Sequence, residues 1–328
     1  MNKYQLIESS SLWTGEELAE REDFLFSLEG SQLAEIKHLI SGNLESARNI
    51  CSLINQVTDS LENGSGVIII KNWPIHELSE DEAKRMFLNL VSIIGTPVSQ
   101  SSEGEMIFSV KDSGFSDNDP RSRGPNTRKK LSFHSDRCDV IGFLCLQQAM
   151  SGGENQIVSS VAIHNHMLKN YPELLYVLYE PFYYKRHNVD TVNELPYCRQ
   201  PIFSITEGKF ACNLLRVLID RAYAMSEIPD MSDLQKTALD KIEEIASMKI
   251  MHHTYRQQPG DIILLNNWVT LHKRTEFVDH EKPEKKRHIL RAWVSPSNNR
   301  AIDPLFKENY GDHRAGFVRG GMKADSKS

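Results

Sequence analysis

The 328-residue chain predicts an α+β fold: a double-stranded β-helix (jelly roll) core surrounded by helices. Two observations lead there. Short strand-like runs at 67–71, 106–110, 156–161, 262–265 and 287–294 are separated by turn signals such as Gly64-Ser65-Gly66, Gly152-Gly153 and Pro259-Gly260-Asp261. Helical patterns lie before and between these runs, so the strands are expected to fold on each other with helices around them.

Taken in order, residues 14–62 are helical. Thr14-Gly15-Glu16-Glu17 has the form of a capping box, and 31–40 and 44–61 carry apolar residues three and four apart. This N-terminal part, 1–62, is expected to pack on the jelly roll. The run Val67-Ile68-Ile69-Ile70-Lys71 reads as a buried strand, and Ser79-Glu80-Asp81-Glu82 opens a helix to about residue 94. Residues 106–110 form a strand, and the polar stretch 112–130 is too long for a plain connection, which marks it as an active-site lid loop. A capped helix is expected over 160–168, β-like runs over 180–186 and 201–204, and an amphipathic helix over 232–248. One domain spans 1–310, and the Gly-rich polar end, 311–328, reads as a flexible tail.

The candidate site lies in Leu131-Ser132-Phe133-His134-Ser135-Asp136 and a distant partner, His272. If 131–136 is extended, His134 and Asp136 project from one side of a strand, because strand side chains repeat every two residues. His272, reached through the apolar run 262–265, would complete two imidazoles and one carboxylate on a single face of a metal. Such a set leaves the opposite positions open and suits non-haem Fe(II) oxygen chemistry. Other histidines do not form sites. His164 and His166, two apart on a helix, diverge, and the neighbours His252 and His253 face opposite sides of a strand. Downstream, Arg287 and Arg291 are four apart in a strand-like run and point the same way.

With these pieces in this order, the chain resembles the TauD/TfdA-like family of Fe(II)- and 2-oxoglutarate-dependent dioxygenases, relatives of the clavaminate-synthase-like amino-acid hydroxylases, over residues 66–296. The resemblance implies His134, Asp136 and His272 as iron ligands and catalytic centre. It implies Arg287 as the cation on the distal carboxylate of 2-oxoglutarate, and Arg291 as the cation on an acidic group of the primary substrate. Asn155 stands where a hydroxyl residue usually helps bind the co-substrate, and an amide can also donate a hydrogen bond there. Three protein ligands leave three positions on iron, enough for bidentate 2-oxoglutarate and O2. Because Asp136 is present, where halogenases of the superfamily carry a small residue, hydroxylation is the expected outcome, with desaturation or cyclisation as alternatives.

The implied substrate is a small carboxylate, a free amino acid or derivative, or alternatively a taurine-like sulfonate. Phe182, Tyr183 and Tyr184 are candidates to line its side-chain end. Two other classes fit less well. A non-catalytic metal-binding jelly roll would lose a ligand or the co-substrate arginine, and all four are retained. A zinc hydrolase would place a general-base Glu beside a ligand on a helix, and no such pairing occurs.

The balance of 38 Lys and Arg against 44 Asp and Glu, net charge −6, suggests neither nucleic acid nor a membrane surface as a partner. Homo-oligomers remain open. Five scattered cysteines without a C-x-x-C pair are expected to be reduced thiols. The N-terminus lacks the apolar core of a signal peptide, and no run approaches the ~18 apolar residues of a membrane helix. A soluble, cytoplasmic protein is expected.

Overall fold

The computed structural model describes residues 4–112, 114, 126–186 and 195–322. Within them, a large sheet runs in the order Leu25–Ser27, Val67–Lys71, Ile262–Asn266, Val140–Gln147, His288–Pro296 and Gly95–Val98, and Ile107–Val110 also pairs with His288–Pro296. All pairings are antiparallel except that of Leu25–Ser27 with Val67–Lys71. A small sheet holds His252–Tyr255, Asn155–Ser159 and Thr270–Arg274, again antiparallel.

Side-chain alternation decides what each face meets. Ile68, Ile70, Leu264, Leu290 and Ala292 face the helices Arg48–Asn63 and Glu80–Ile94, which bury Ile50, Ile54, Val57, Phe87 and Leu90 against them. Val67, Ile69, Ile263, Leu265 and Trp293 point the other way and share a core with Ile157 of the small sheet. A sheet covered on both faces needs continuous rather than alternating apolar runs, which is why the sequence carries three consecutive isoleucines at 68–70. Behind the small sheet, Val158 and Leu271 pack on the helices Ser160–Asn170 and Asp233–Ser247. The layers are therefore helix, large sheet, small sheet, helix.

The capping signals operate as expected. Thr14 and Glu17 exchange backbone-to-side-chain hydrogen bonds, as do Ser79 with Glu82 and Ser232 with Gln235. The five cysteines are free, four of them buried. No helix among the described residues is long and apolar enough to cross a membrane.

Two expectations change. Residues 131–136 do not form a strand of their own: only His134 pairs, as an isolated bridge to His272. The supposed flexible tail is built into the protein over 311–322. Arg319 is fully buried, and its Nε donates to Asp139 Oδ1 at 2.7 Å. The same carboxylate accepts from Trp268 Nε1, Ser295 Oγ and Asn299 Nδ2 at 2.6, 2.8 and 3.0 Å. A polar, glycine-rich composition conceals this, because the anchoring rests mainly on an ion pair and backbone hydrogen bonds, with Met322 as its one apolar contact in the core among the described residues; 323–328 lie outside those residues. Of the expected lid loop, residues 113 and 115–125 lie outside the described residues.

Removing one partner of a buried ion pair strands the other charge. Arg319→Met should therefore lower the unfolding free energy by about 3 kcal/mol, the low end of the usual range because three neutral donors still serve Asp139. Urea titration measures it, and a loss below about 1 kcal/mol would show the pair to be no stronger than a surface one.

Candidate active site

The metal-ligating face is assembled by one pair of backbone hydrogen bonds. His134 N donates to His272 O at 3.0 Å and His272 N to His134 O at 2.9 Å. Residues that exchange both bonds in an antiparallel pair carry their side chains on the same side. The two imidazoles accordingly sit with ring centroids 4.5 Å apart. Asp136, two residues on, closes the face, its backbone N donating to Asn267 Oδ1 at 3.3 Å. One ligand atom from each of His134, Asp136 and His272 lies within 4.8 Å of the others.

Local contacts prepare these groups. His134 Nδ1 lies 2.9 Å from Ser132 O; with its proton directed there, the Nε2 lone pair is free for a metal. Burial, then the neighbouring His272, push the His134 imidazole down to about 4, so it is neutral near pH 7. Burial alone would raise Asp136, but Arg291 and the two histidines outweigh it and hold the carboxyl well below the usual carboxylate range. Asp136 Oδ2 and His272 Nδ1 are buried with no hydrogen-bond partner. Buried orphans of this kind call for an explanation, and for Asp136 a bound cation supplies one.

Arg291 lies within the strand His288–Pro296, whereas Arg287 immediately precedes it, ahead of a register shift between His288 and Ile289, so the strict alternation expected of the two does not hold and they meet different surroundings. Arg287 is 4 % exposed, its Nε has no hydrogen-bond partner, and its guanidinium lies over the Phe277 ring at 5.3 Å. Burial pushes it down to about 10. It is still charged at neutral pH; Asp279, which accepts from the Arg287 backbone N at 2.7 Å, is a nearby carboxylate, but Nε itself has no acceptor, and a buried unpaired donor is costly. The turn at Gly153 leaves it room: a Cβ there would sit 3.3 Å from Arg287 Nε. Arg291 instead is stacked between Phe108 and Trp293, at 5.2 and 5.0 Å. Its Nε donates to Gln100 Oε1 at 2.7 Å, and its Nη1 lies 3.6 Å from Asp136 Oδ1.

The remaining candidates divide. Asn155 pairs with Arg274 across the small sheet, in register with Ile157 opposite His272, so it faces the same interior. Its Nδ2 already donates to Gln257 Oε1 at 3.1 Å. Phe182 is a correction: it is fully buried in the apolar cluster with Val158, Leu178 and Phe203 and is not at a cavity surface. Tyr183 packs edge-on to Tyr197 and Tyr223. Tyr184, the third aromatic of that run, does line a narrow cleft that reaches Asp136, together with Leu215, Leu218, Trp293 and Tyr310. Alternation sets Tyr183 apart from Phe182 and Tyr184, which share one face of the strand and one apolar cluster, and the sequence does not say which of these side chains reaches the cleft. Gln100, Phe108 and Phe277 carried no sequence signal. Arg274 did, since it stands two residues past His272 and so shares its face.

A metal-binding His-Asp-His face between two sheets, with buried guanidinium groups nearby, is the arrangement of a mononuclear non-haem oxygenase. The chain belongs to the taurine catabolism dioxygenase TauD, TfdA family, which matches residues 32–293; it is a dioxygenase. It is 32% identical over 280 residues to FR-33289 synthase of Streptomyces rubellomurinus, covering 84% of this chain and 79% of that one. Among solved structures it is similar to asparagine oxygenase in complex with Fe(II), 3-hydroxyasparagine and succinate, with TM-score 0.61 and 15% identity over 83% of this chain and 93% of that one. It is also similar to the non-heme iron oxygenase OrfP in complex with Fe and alpha-ketoglutaric acid, with TM-score 0.58 and 14% identity over 90% and 99%. These two likenesses show a shared fold of mixed sheet and helix.

Substituting alanine at His134, Asp136 or His272 should each abolish stoichiometric Fe(II) binding, because each removes one of three candidate ligands. Anaerobic calorimetry reads this directly, and tight binding by any one variant would remove that residue from the set.

Proposed function

We propose that the protein is an Fe(II)- and 2-oxoglutarate-dependent hydroxylase of a small carboxylate substrate, a free amino acid or close derivative. We read its two facing sheets as the halves of a double-stranded β-helix with the metal at the mouth. The observation that carries the co-substrate assignment is Arg287: a buried cation with an unpartnered Nε, beside a glycine whose missing side chain would press on it. The donor chemistry of His134, Asp136 and His272 fits iron with open positions. Once bound, Fe(II) with 2-oxoglutarate and O2 supplies an oxidative decarboxylation, yielding succinate and CO2, that places oxygen on a C–H bond of the substrate.

The chain's own residues bind and orient. His134, Asp136 and His272 would hold the metal, and Ser132 O fixes the His134 ring through its second nitrogen. The Arg287 guanidinium forks onto the distal carboxylate of 2-oxoglutarate in two parallel hydrogen bonds. Asn155, with its donor shared with Gln257, contributes a weaker contact on the same side. Arg291, held by Gln100 and two aromatic faces, has Nη1 turned toward Asp136. It is placed to receive the substrate's acidic group next to the metal, while Tyr184, Leu215, Leu218 and Trp293 shield the carbon chain from water. A sulfonate carries the same charge and would fit Arg291 too, so the two are separated by assay. The solved relatives' association with hydroxyasparagine and, for OrfP, with (3S)-hydroxy-L-Arg supports the amino-acid reading.

Adding 2-oxoglutarate to the anaerobic Fe(II) protein should produce a visible metal-to-ligand charge-transfer band, and no band would overturn the reading. Among amino acids, their amides and taurine, the amino acids should stimulate succinate formation most; equal stimulation by the amides would remove the acidic-substrate assignment. Arg287→Ala should raise the KM for 2-oxoglutarate at least about tenfold, since losing one partner of a buried charge pair costs on the order of 2–5 kcal/mol. An unchanged KM would move that role to another cation.

A further inference from the structure

Arg287 does not stand alone. Arg274 is also buried, and its guanidinium lies 4.8 Å from the centroid of the same Phe277 ring that carries Arg287 at 5.3 Å. Two cations on one ring repel each other, so each guanidinium bears on where the other can sit. Arg274 is also tied to the chain that leads into the metal site. Its Nη2 donates to Lys129 O at 2.5 Å, its own carbonyl accepts from Leu131 N at 3.0 Å, and Phe277 N donates to Arg128 O at 3.2 Å. Arg128 in turn pairs with Asp112 at 2.7 Å. Residues 128–131 are thus docked along 274–277, and three residues later the same chain supplies His134.

We infer that Arg274 is a positioning residue that couples anion binding at Arg287 to the docking of residues 128–131 beside the metal site. The inference rests on the co-substrate reading of Arg287. An anion that enters the Arg287 pocket screens the repulsion across Phe277, so Arg274 can settle on Lys129 O at lower cost. By reciprocity, a docked segment strengthens anion binding by the same factor. Arg274 need not touch the anion; its guanidinium acts through charge on one side and through a directional bond to Lys129 on the other. An arginine suits this double task because its fork holds a carbonyl while its charge stays delocalised.

The test measures 2-oxoglutarate binding to the anaerobic Fe(II) protein by calorimetry, and hydrogen exchange of the peptides that contain Leu131 and Phe277. In the unaltered protein 2-oxoglutarate should slow exchange in both peptides. Arg274→Met should abolish that slowing and weaken 2-oxoglutarate binding about fivefold, the lower end of typical coupling between sites. Arg274→Lys keeps the charge and loses the fork, so it should lose the slowing and, by the same reciprocity, the coupled share of the affinity. If Arg274→Met does not fold, as judged by circular dichroism, Arg274→Lys decides alone: slowing like that of the unaltered protein overturns the coupling. Arg287→Gln separates the two readings. Unchanged affinity in that variant removes the co-substrate assignment, whereas weakened affinity there with undisturbed binding and slowing in the Arg274 variants leaves the assignment standing and removes the coupling.

Discussion

The pair of hydrogen bonds between His134 and His272 is the contact on which the site depends. Each bond is an ordinary backbone interaction, worth about 1 kcal/mol net, yet together they fix which faces of two distant segments coincide. Everything around them serves to hold that register. The strand Thr270–Arg274 is held from the other side by Asn155–Ser159, and the segment 128–131 is fastened to its far end. Asp136 then needs only the two-residue step from His134, and Asn267 takes up its backbone N.

The electrostatic layout follows from burial. Asp136 is the acid among the candidate ligands, and its charge is balanced by Arg291 in the protein alone. Arg287 has no comparable partner for its Nε, and Arg274 adds charge of the same sign nearby. The interior between the sheets therefore gathers three arginines, with Asp136, Asp279 and Asp112 as the nearby carboxylates and the Arg287 Nε left without an acceptor. That unpaired donor is a cost in stability, retained where anionic ligands are to be gathered.

Much of this was legible in the sequence. The runs at 67–71 and 262–265 announced buried strands, the capping boxes at Thr14, Ser79 and Ser232 fixed helix starts, and His-x-Asp with a remote His pointed to the metal face. What failed did so for identifiable reasons. Residues 131–136 look like a strand, but the chain bends at Phe133 and bridge pairing is confined to His134, and the number of ladder bonds is a tertiary property. Residues 311–322 look like a tail because the group that anchors them, Asp139, is far away in the chain and lies next to an assigned ligand without sharing its role. Phe182 and Tyr184 share a strand face and an apolar cluster, yet Tyr184 also lines the cleft, a difference that alternation does not signal. Gln100, which orients Arg291, could not be found, since nothing local distinguishes it from any other polar residue after a strand.

The Gly152-Gly153 turn holds one more consequence. Both residues adopt left-handed angles, φ +71° and +74°, but they answer to different neighbours. A side chain on Gly152 would strike the backbone at Glu276, 2.1 Å away, which is a matter of how two strands join. A side chain on Gly153 would meet Gln148 Oε1 at 3.1 Å and Arg287 Nε at 3.3 Å, so its missing carbon is the imprint of a charged group. A substitution there, which on sequence grounds would pass for a change in a surface turn, would press directly on the guanidinium that we assign to the co-substrate.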